Sequence, residues 1–191
     1  MSIRTIYDKL ENSGELSSLD YAATQGKISR AVKQFIKDKK LIIHGAKAQN
    51  AQSHFPLTRA TRDYDIIAKN PKLTAQELDR ILDKARGGNY HYTKPAVHKG
   101  THKVMDVGAD LIKNTDDDFT LADLTEIKRK LKTIKINGIS YSHLDELEKR
   151  KLKSLASKQF IFRHQKDKED LKIIQKLKGG FGWIWIKKDS A

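Results

Sequence analysis

The chain has 191 residues and a mass of 21.8 kDa, with 38 Lys and Arg against 24 Asp and Glu, a net charge of +14 and a pI near 9.8. That length suits one compact domain or a core domain with a small helical companion, and the charge excess favours a polyanionic partner. The absence of cysteine excludes disulfides and thiolate metal sites, no apolar run reaches membrane-spanning length, and Met1–Leu10 reads as neither secretory signal nor anchor, so a cytoplasmic protein without membrane contact is expected.

Ile3–Leu10 and Ile28–Lys37 have helical spacing, the second with an apolar stripe of Ile28, Val32, Phe35 and Ile36, and the first forty residues are expected as helices packed on the core. Leu41–His44 is the first strand. It ends in a small-residue turn at Gly45-Ala46, whose backbone N–H groups can approach a phosphate because no large side chain blocks them. The segment Leu41–Ile67 reads LIIHGAKAQNAQSHFPLTRATRDYDII, and Asp63 and Asp65 open its second apolar run. If Tyr64–Ala68 is a strand, residues two apart share a face, so both carboxylates project together while Tyr64 and Ile66 point away. Such a pair suits Mg2+, a hard cation that takes one or two carboxylates along with substrate phosphates and water.

Thr74-Ala75-Gln76-Glu77 reads as a capping box opening a helix through Leu78, Ile81 and Leu82, which Gly87-Gly88 stops. Asn89–Lys103 is expected as an extended strand or loop. Its histidines, His91, His98 and His102, lack the thiolates and regular spacing of a zinc site and read as surface or substrate-facing groups, while Lys94, Lys99 and Lys103 are candidates for phosphate contact. The next apolar run carries Asp106, the candidate third acid, with Asp110 as runner-up. Three acids could hold two ions about 3.5 to 4 Å apart and support in-line displacement; the reaction class that fits is nucleotidyl transfer.

Asn114–Asp118 reads as a polar turn, and Thr120-Leu121-Ala122-Asp123 as the cap of a short helix ending in Lys128-Arg129-Lys130. Asn137-Gly138 between Thr133–Ile136 and Ile139–Tyr141 is a hairpin signal. Ser142-His143-Leu144-Asp145 starts a helix with Leu144, Leu147, Leu152 and Leu155 as its buried stripe. Further on, Arg163 and Lys166 are candidates to face substrate, with Asp167 and Asp170 either as orienting groups or as ordinary ion-pair partners at helical spacing. Phe181–Ile186 reads as a strand with Trp183 and Trp185 on one face, for packing or for base stacking. From Lys149 to the end there are thirteen Lys and Arg against four Asp and Glu, which suits a sequence-independent hold on a nucleic-acid backbone.

In these motifs the chain resembles the polymerase-beta-type nucleotidyltransferase superfamily, specifically its minimal and template-independent members and the poly(A)-polymerase-like proteins of large DNA viruses. The residues that carry the resemblance are His44-Gly45-Ala46 with Lys47-Ala48-Gln49-Asn50, the approach Arg59-Ala60-Thr61-Arg62, the pair Asp63-Tyr64-Asp65, Asp106, and Arg163-His164-Gln165-Lys166-Asp167-Lys168-Glu169-Asp170-Leu171. The resemblance covers roughly Leu41–Leu177 and implies an α/β (α+β) fold, a mixed sheet flanked by helices. Taken with the spacing read along the chain, the expected organisation is an N-terminal helical segment over 1–40, a catalytic domain over 41–141 and a basic C-terminal helical segment ending in an aromatic strand over 142–191. The resemblance also implies an enzyme in which Asp63, Asp65 and Asp106 are catalytic and hold Mg2+ or Mn2+, and Gly45, Ala46, Lys47, Arg59 and Arg62 bind a nucleoside triphosphate such as ATP. Lys153, Arg163 and Lys166 would contact the acceptor, a nucleic acid with RNA as the first choice. Two departures stand out: the turn is Gly-Ala where many members have Gly-Ser, and sixteen residues separate Ala46 from Asp63. Two other readings stay open, namely transfer to a protein or small-molecule hydroxyl, as in toxin–antitoxin pairs, and a non-catalytic nucleic-acid-binding subunit with a degenerate site. A protein partner or a homo-oligomer is compatible with each.

Overall fold

The computed structural model describes residues 15–53, 61, 63–108, 111–157, 161 and 163–181. In chain order these form α1 (Glu15–Asp38), β1 (Ile42–His44), α2 (Gly45–Ala51), β2 (Tyr64–Ile67), α3 (Pro71–Arg86), β3 (His91–Pro95), β4 (Thr101–Asp106), β5 (Phe119–Thr125), β6 (Thr133–Ile136), β7 (Ile139–Ser142), α4 (Leu144–Leu155) and α5 (His164–Lys176), with a π-helical turn at Leu177–Phe181. The strands make one mixed sheet in the order β3-β4-β5-β2-β1-β7-β6. β2 runs antiparallel to β1 and parallel to β5, and β1 runs parallel to β7. The remaining neighbours are antiparallel. This is the α/β class expected from the sequence.

The helical stripe of α1 is buried at Ile28, Val32, Phe35 and Ile36. The helix closes by a bond from the Leu41 N–H to the Ile36 carbonyl at 2.9 Å, with Lys40 in the left-handed region at φ 52°; this six-to-one closure reverses the chain into β1. The α1 stripe shares one apolar cluster with Ile43 of β1, Tyr64 and Ile66 of β2, Val104 of β4, Ala122 and Leu124 of β5, and Ala75, Leu78 and Leu82 of α3. Helices α1 and α3 therefore cover one face of the central strands. Strand alternation turns His44, Asp65 and Asp123 to the other face.

Several local expectations hold. Asn137 and Gly138 both take positive φ, 51° and 80°, at the β6–β7 turn, the mirror-image geometry that matches strand twist. Asn89–Lys103 folds into the β3–β4 hairpin. The His143 side chain accepts the Asp145 N–H at the start of α4 at 3.2 Å.

Others are corrected. α3 begins a turn before Thr74: Asn70 caps it, accepting the Leu73 N–H at 3.2 Å, and Pro71 occupies the first turn, where its missing N–H costs nothing. Thr74 donates back to the Asn70 carbonyl at 2.8 Å. Ile81 and Leu152 are 40% and 50% exposed and fall outside the buried stripes assigned to them. The largest correction is at Thr120–Asp123, which lies within β5 and caps no helix. Threonine and aspartate three apart mimic a helix start, but here the backbone groups pair with β2 on one side and β4 on the other, which outweighs a local cap. The expected helix at Ile3–Leu10 and the pair Trp183 and Trp185 lie outside the described residues.

Candidate active site

The register of four adjacent strands sets His44 opposite Asp65, Asp65 opposite Asp123, and Asp123 opposite Lys103. Opposed residues in antiparallel pairs share a face with Cβ atoms about 4.5–5.5 Å apart, and laterally adjacent residues of parallel strands share a face too, so two carboxylates stand side by side with an ammonium next to them. Asp63 lies just ahead of β2, two residues from Asp65, and accepts the Thr61 hydroxyl at 2.5 Å. Burial pushes the Asp65 carboxyl up, and the negative charges of Asp63 and Asp123 push the same way against Arg150 and Arg163. Burial also raises Asp123, with Asp63 adding to the shift and Lys103 and Arg163 opposing it. One oxygen of Asp123, Oδ1, is buried without a hydrogen-bond partner, and the Lys103 Nζ at 3.9 Å is too far to serve.

Gly45 admits this arrangement. A Cβ there would fall 1.8 Å from Asp65 Oδ2 and 3.2 Å from Asp65 Cβ, and the residue sits at φ +64°, a conformation glycine takes without steric cost. Gly45 and Ala46 begin the short helix α2 rather than an open turn. From its first turn Lys47 donates to the Thr61 carbonyl at 3.0 Å and stands 4.2 Å over the Tyr64 ring. Burial lowers the Lys47 ammonium, while the nearby Asp63 and Asp65 charges work against that lowering.

Asp106 is not brought to the acid pair. It lies opposite Phe119, at the far end of β5 from Asp123, four residues or roughly 13 Å along the strand. Its carboxylate is fully buried, with Arg86 at 2.8 Å and His91 Nε2 at 3.4 Å. Burial raises this carboxyl, but His91 and Arg86 outweigh it and leave the group below its ordinary value. His91 in turn holds Asp83 at 2.8 Å, so the network ties α3 to the β3–β4 hairpin. Asp110, Arg59 and Arg62 lie outside the described residues.

The C-terminal helices bring cations to the acids and keep some of their own acids occupied. Asp167 and Asp170 both receive the Lys151 ammonium, at 2.7 and 2.5 Å, with all three side chains largely buried; they lock α5 to α4. Arg163 sits at the start of α5, and its charge acts on both Asp65 and Asp123. Lys153 is exposed on α4 and Lys166 is half-buried on α5.

Sequence reasoning missed Asp123, Arg150 and Lys151. The alternation Leu121-Asp123-Thr125 against Ala122-Leu124 is a strand signal that could have marked Asp123. Arg150 and Lys151 carry no such signal, since only helix packing aims them. Among the described residues no three His, Cys, Asp or Glu side chains close around a common point, so Asp63, Asp65 and Asp123 would have to draw together about a cation. The donor set is nonetheless of the hard-oxygen kind that suits Mg2+, and the orphaned Asp123 oxygen has a use there.

No protein-family model matches the sequence, and a search of curated proteins returns no match. Among solved structures, the Megavirus polyadenylate synthase is similar over 93% of this chain and 38% of its own length, at 19% identity and a TM-score of 0.60. JHP933 from Helicobacter pylori is similar over 82% of this chain and 66% of its own, at 16% identity and a TM-score of 0.50. The chain thus spans only part of the length of either protein. It has a nucleotidyltransferase-type fold.

Proposed function

We propose that the protein is a metal-dependent, template-independent nucleotidyltransferase that moves a nucleoside monophosphate from a nucleoside triphosphate, ATP first among them, to the 3′ hydroxyl of RNA. The observation that carries this reading is the row of Asp65 and Asp123 on adjacent strands of such a sheet, with Asp63 at its head and one buried carboxylate oxygen without a partner. The viral polyadenylate synthase among the structural neighbours supports the choice of adenylate and RNA.

Asp63, Asp65 and Asp123 would hold Mg2+ or Mn2+, which when bound supplies neutralisation of the triphosphate and acidification of the attacking hydroxyl. Asp123 takes the part for which the sequence offered Asp106. The protein's own groups then do the positioning. The Thr61 hydroxyl fixes one oxygen of Asp63, and the bare Cα of Gly45 leaves room for the Asp65 carboxylate. Arg150 and Arg163, whose charges already act on Asp65, would neutralise phosphate oxygens as charge moves onto the leaving pyrophosphate, helped by Lys47, Arg59 and Arg62. Lys153 and Lys166 would contact the acceptor.

The test is to incubate the purified chain with each labelled ribonucleoside triphosphate, Mg2+ or Mn2+ and a short single-stranded RNA, beside an Asp63→Ala/Asp65→Ala variant. Wild type should lengthen the RNA, most strongly with ATP, and the variant should be silent. Bound RNA that wild type leaves unextended with all four triphosphates would overturn the reading.

A further inference from the structure

Helix α1 presents a cationic stripe that no described acid neutralises. Arg30, Lys33 and Lys37 are all exposed and stand three and four residues apart, so they project from one side of the helix over about 10 Å. With Ala31, Gln34 and Ile139 of β7 they line a groove of about 480 Å3. The acid nearest in sequence, Asp38, is occupied by the Gln34 amide at 2.7 Å. Ala31 and Ile139 give the groove an apolar strip between the charges.

The stripe starts at the acid-pair end of the sheet, on the face opposite Asp65 and Asp123, and Lys33 is near enough to act on Lys47, on which Asp63 and Asp65 also act. Ser29 Oγ lies 2.9 Å from the Tyr64 hydroxyl, and Tyr64 sits between Asp63 and Asp65 with the Lys47 ammonium 4.2 Å over its ring. From that end of the sheet Arg30, Lys33 and Lys37 lead away along two turns of helix. In the C-terminal half several cations are taken: Lys151 by Asp167 and Asp170, Lys178 by Asp145 and Glu148, Arg129 by Glu146, and Lys132 by Asp145.

We propose that the α1 groove is the track for the body of a single-stranded nucleic-acid acceptor, whose 3′ end passes round the Ser29 and Tyr64 end of the sheet to reach Asp63, Asp65 and Asp123 on the other face. Its choice of RNA as the acceptor rests on the function proposed above. Three unpaired cations in line suit successive phosphates of a strand, and the Ala31 and Ile139 surface suits a sugar or base packed between them.

The experiment compares RNA affinity across a salt series, by fluorescence anisotropy of a labelled single-stranded RNA, for wild type, Arg30→Gln/Lys33→Gln/Lys37→Gln, and a charge-matched control, Lys168→Gln/Lys172→Gln/Lys176→Gln, on exposed positions of α5. Circular dichroism verifies that each variant is folded. The α1 variant should bind at least tenfold more weakly at low salt, and its salt slope should drop by about 2, at roughly 0.7 for each lost contact to a single strand, while the control changes little. Equal losses in the two variants, or a loss only in the control, would overturn the track, as would polyglutamate binding as tightly as RNA with the same dependence on α1. The two proposals fail separately. RNA that binds through α1 but is never extended leaves the track standing without the transfer reading, and RNA that is extended with no change in affinity or KM in the α1 variant does the reverse.

Discussion

Asp106 is closed off from solvent with Arg86 at 2.8 Å and His91 at 3.4 Å, whereas Asp123 has another acid beside it and Lys103 no nearer than 3.9 Å. Replacing Asp106 by Asn leaves the Arg86 guanidinium nearly buried without a counter-charge, and should cost about 3 kcal/mol of stability, read as a lower urea midpoint, while the folded fraction still transfers nucleotide. Replacing Asp123 by Asn should do the opposite, leaving the midpoint unchanged or higher because like-charge repulsion is removed, and abolishing transfer. His44 makes a different prediction. It is buried with its Nδ1 2.8 Å from the Ser142 hydroxyl, and burial first, then Arg150 and Lys151, lowers its pKa from 6.5 to about 3. The unfolded chain takes up this proton near pH 6.5 and the folded one resists it, so His44 makes no difference to stability above that pH and costs stability as the pH falls from 6.5 towards 3. The slope is at most about 1.4 kcal/mol per pH unit. Urea midpoints of wild type and His44→Gln between pH 7 and 5 should therefore draw together as the solution is acidified; parallel curves would refute this.

At the scale of elements, the acid pair was legible because a strand has a period of two, and Asp63-Tyr64-Asp65 shows that period whatever the strand pairs with. The acid that stands beside Asp65 was not legible. Both Asp106 and Asp123 lie on strands, and only the order in which β4 and β5 flank β2 decides which one meets Asp65. The helix α5 is another case. Arg163 and Lys166 were offered Asp167 and Asp170 as partners at helical spacing, yet Lys151 from α4 reaches both carboxylates. Lys151→Met should leave two buried carboxylates facing each other and loosen α5, with a loss of at least about 3 kcal/mol and faster hydrogen exchange across His164–Lys176. If exchange in α5 is unchanged, the bridge does not hold the helix.

For the whole molecule, the +14 charge is unevenly available. Lys151 and Lys178 of the C-terminal segment are consumed in bridges, while Arg30, Lys33 and Lys37 of α1 pair with no acid among the described residues. The acids concentrate negative charge at one point of this basic protein, and burial and mutual repulsion raise Asp65 and Asp123 together. A divalent cation that relieves this should stabilise the fold, by about 1.4 kcal/mol at tenfold excess over its dissociation constant. Mg2+ or Mn2+ should accordingly raise the melting temperature of wild type by a few degrees, and of Asp65→Asn/Asp123→Asn not at all; an equal rise in both would place the ion elsewhere. The sequence by itself determined the class of fold, the first two strands, the β6–β7 turn and the Asp63 and Asp65 pair, because local periodicity and turn chemistry act within a few residues. Only the tertiary structure decided that Asp123 stands beside Asp65, that Asp106 is buried against Arg86 and His91, and that the charges of Arg150 and Arg163 act on Asp65. Those outcomes depend on strand order and helix docking, which are set by burial across the whole sheet and leave no mark at the residues concerned.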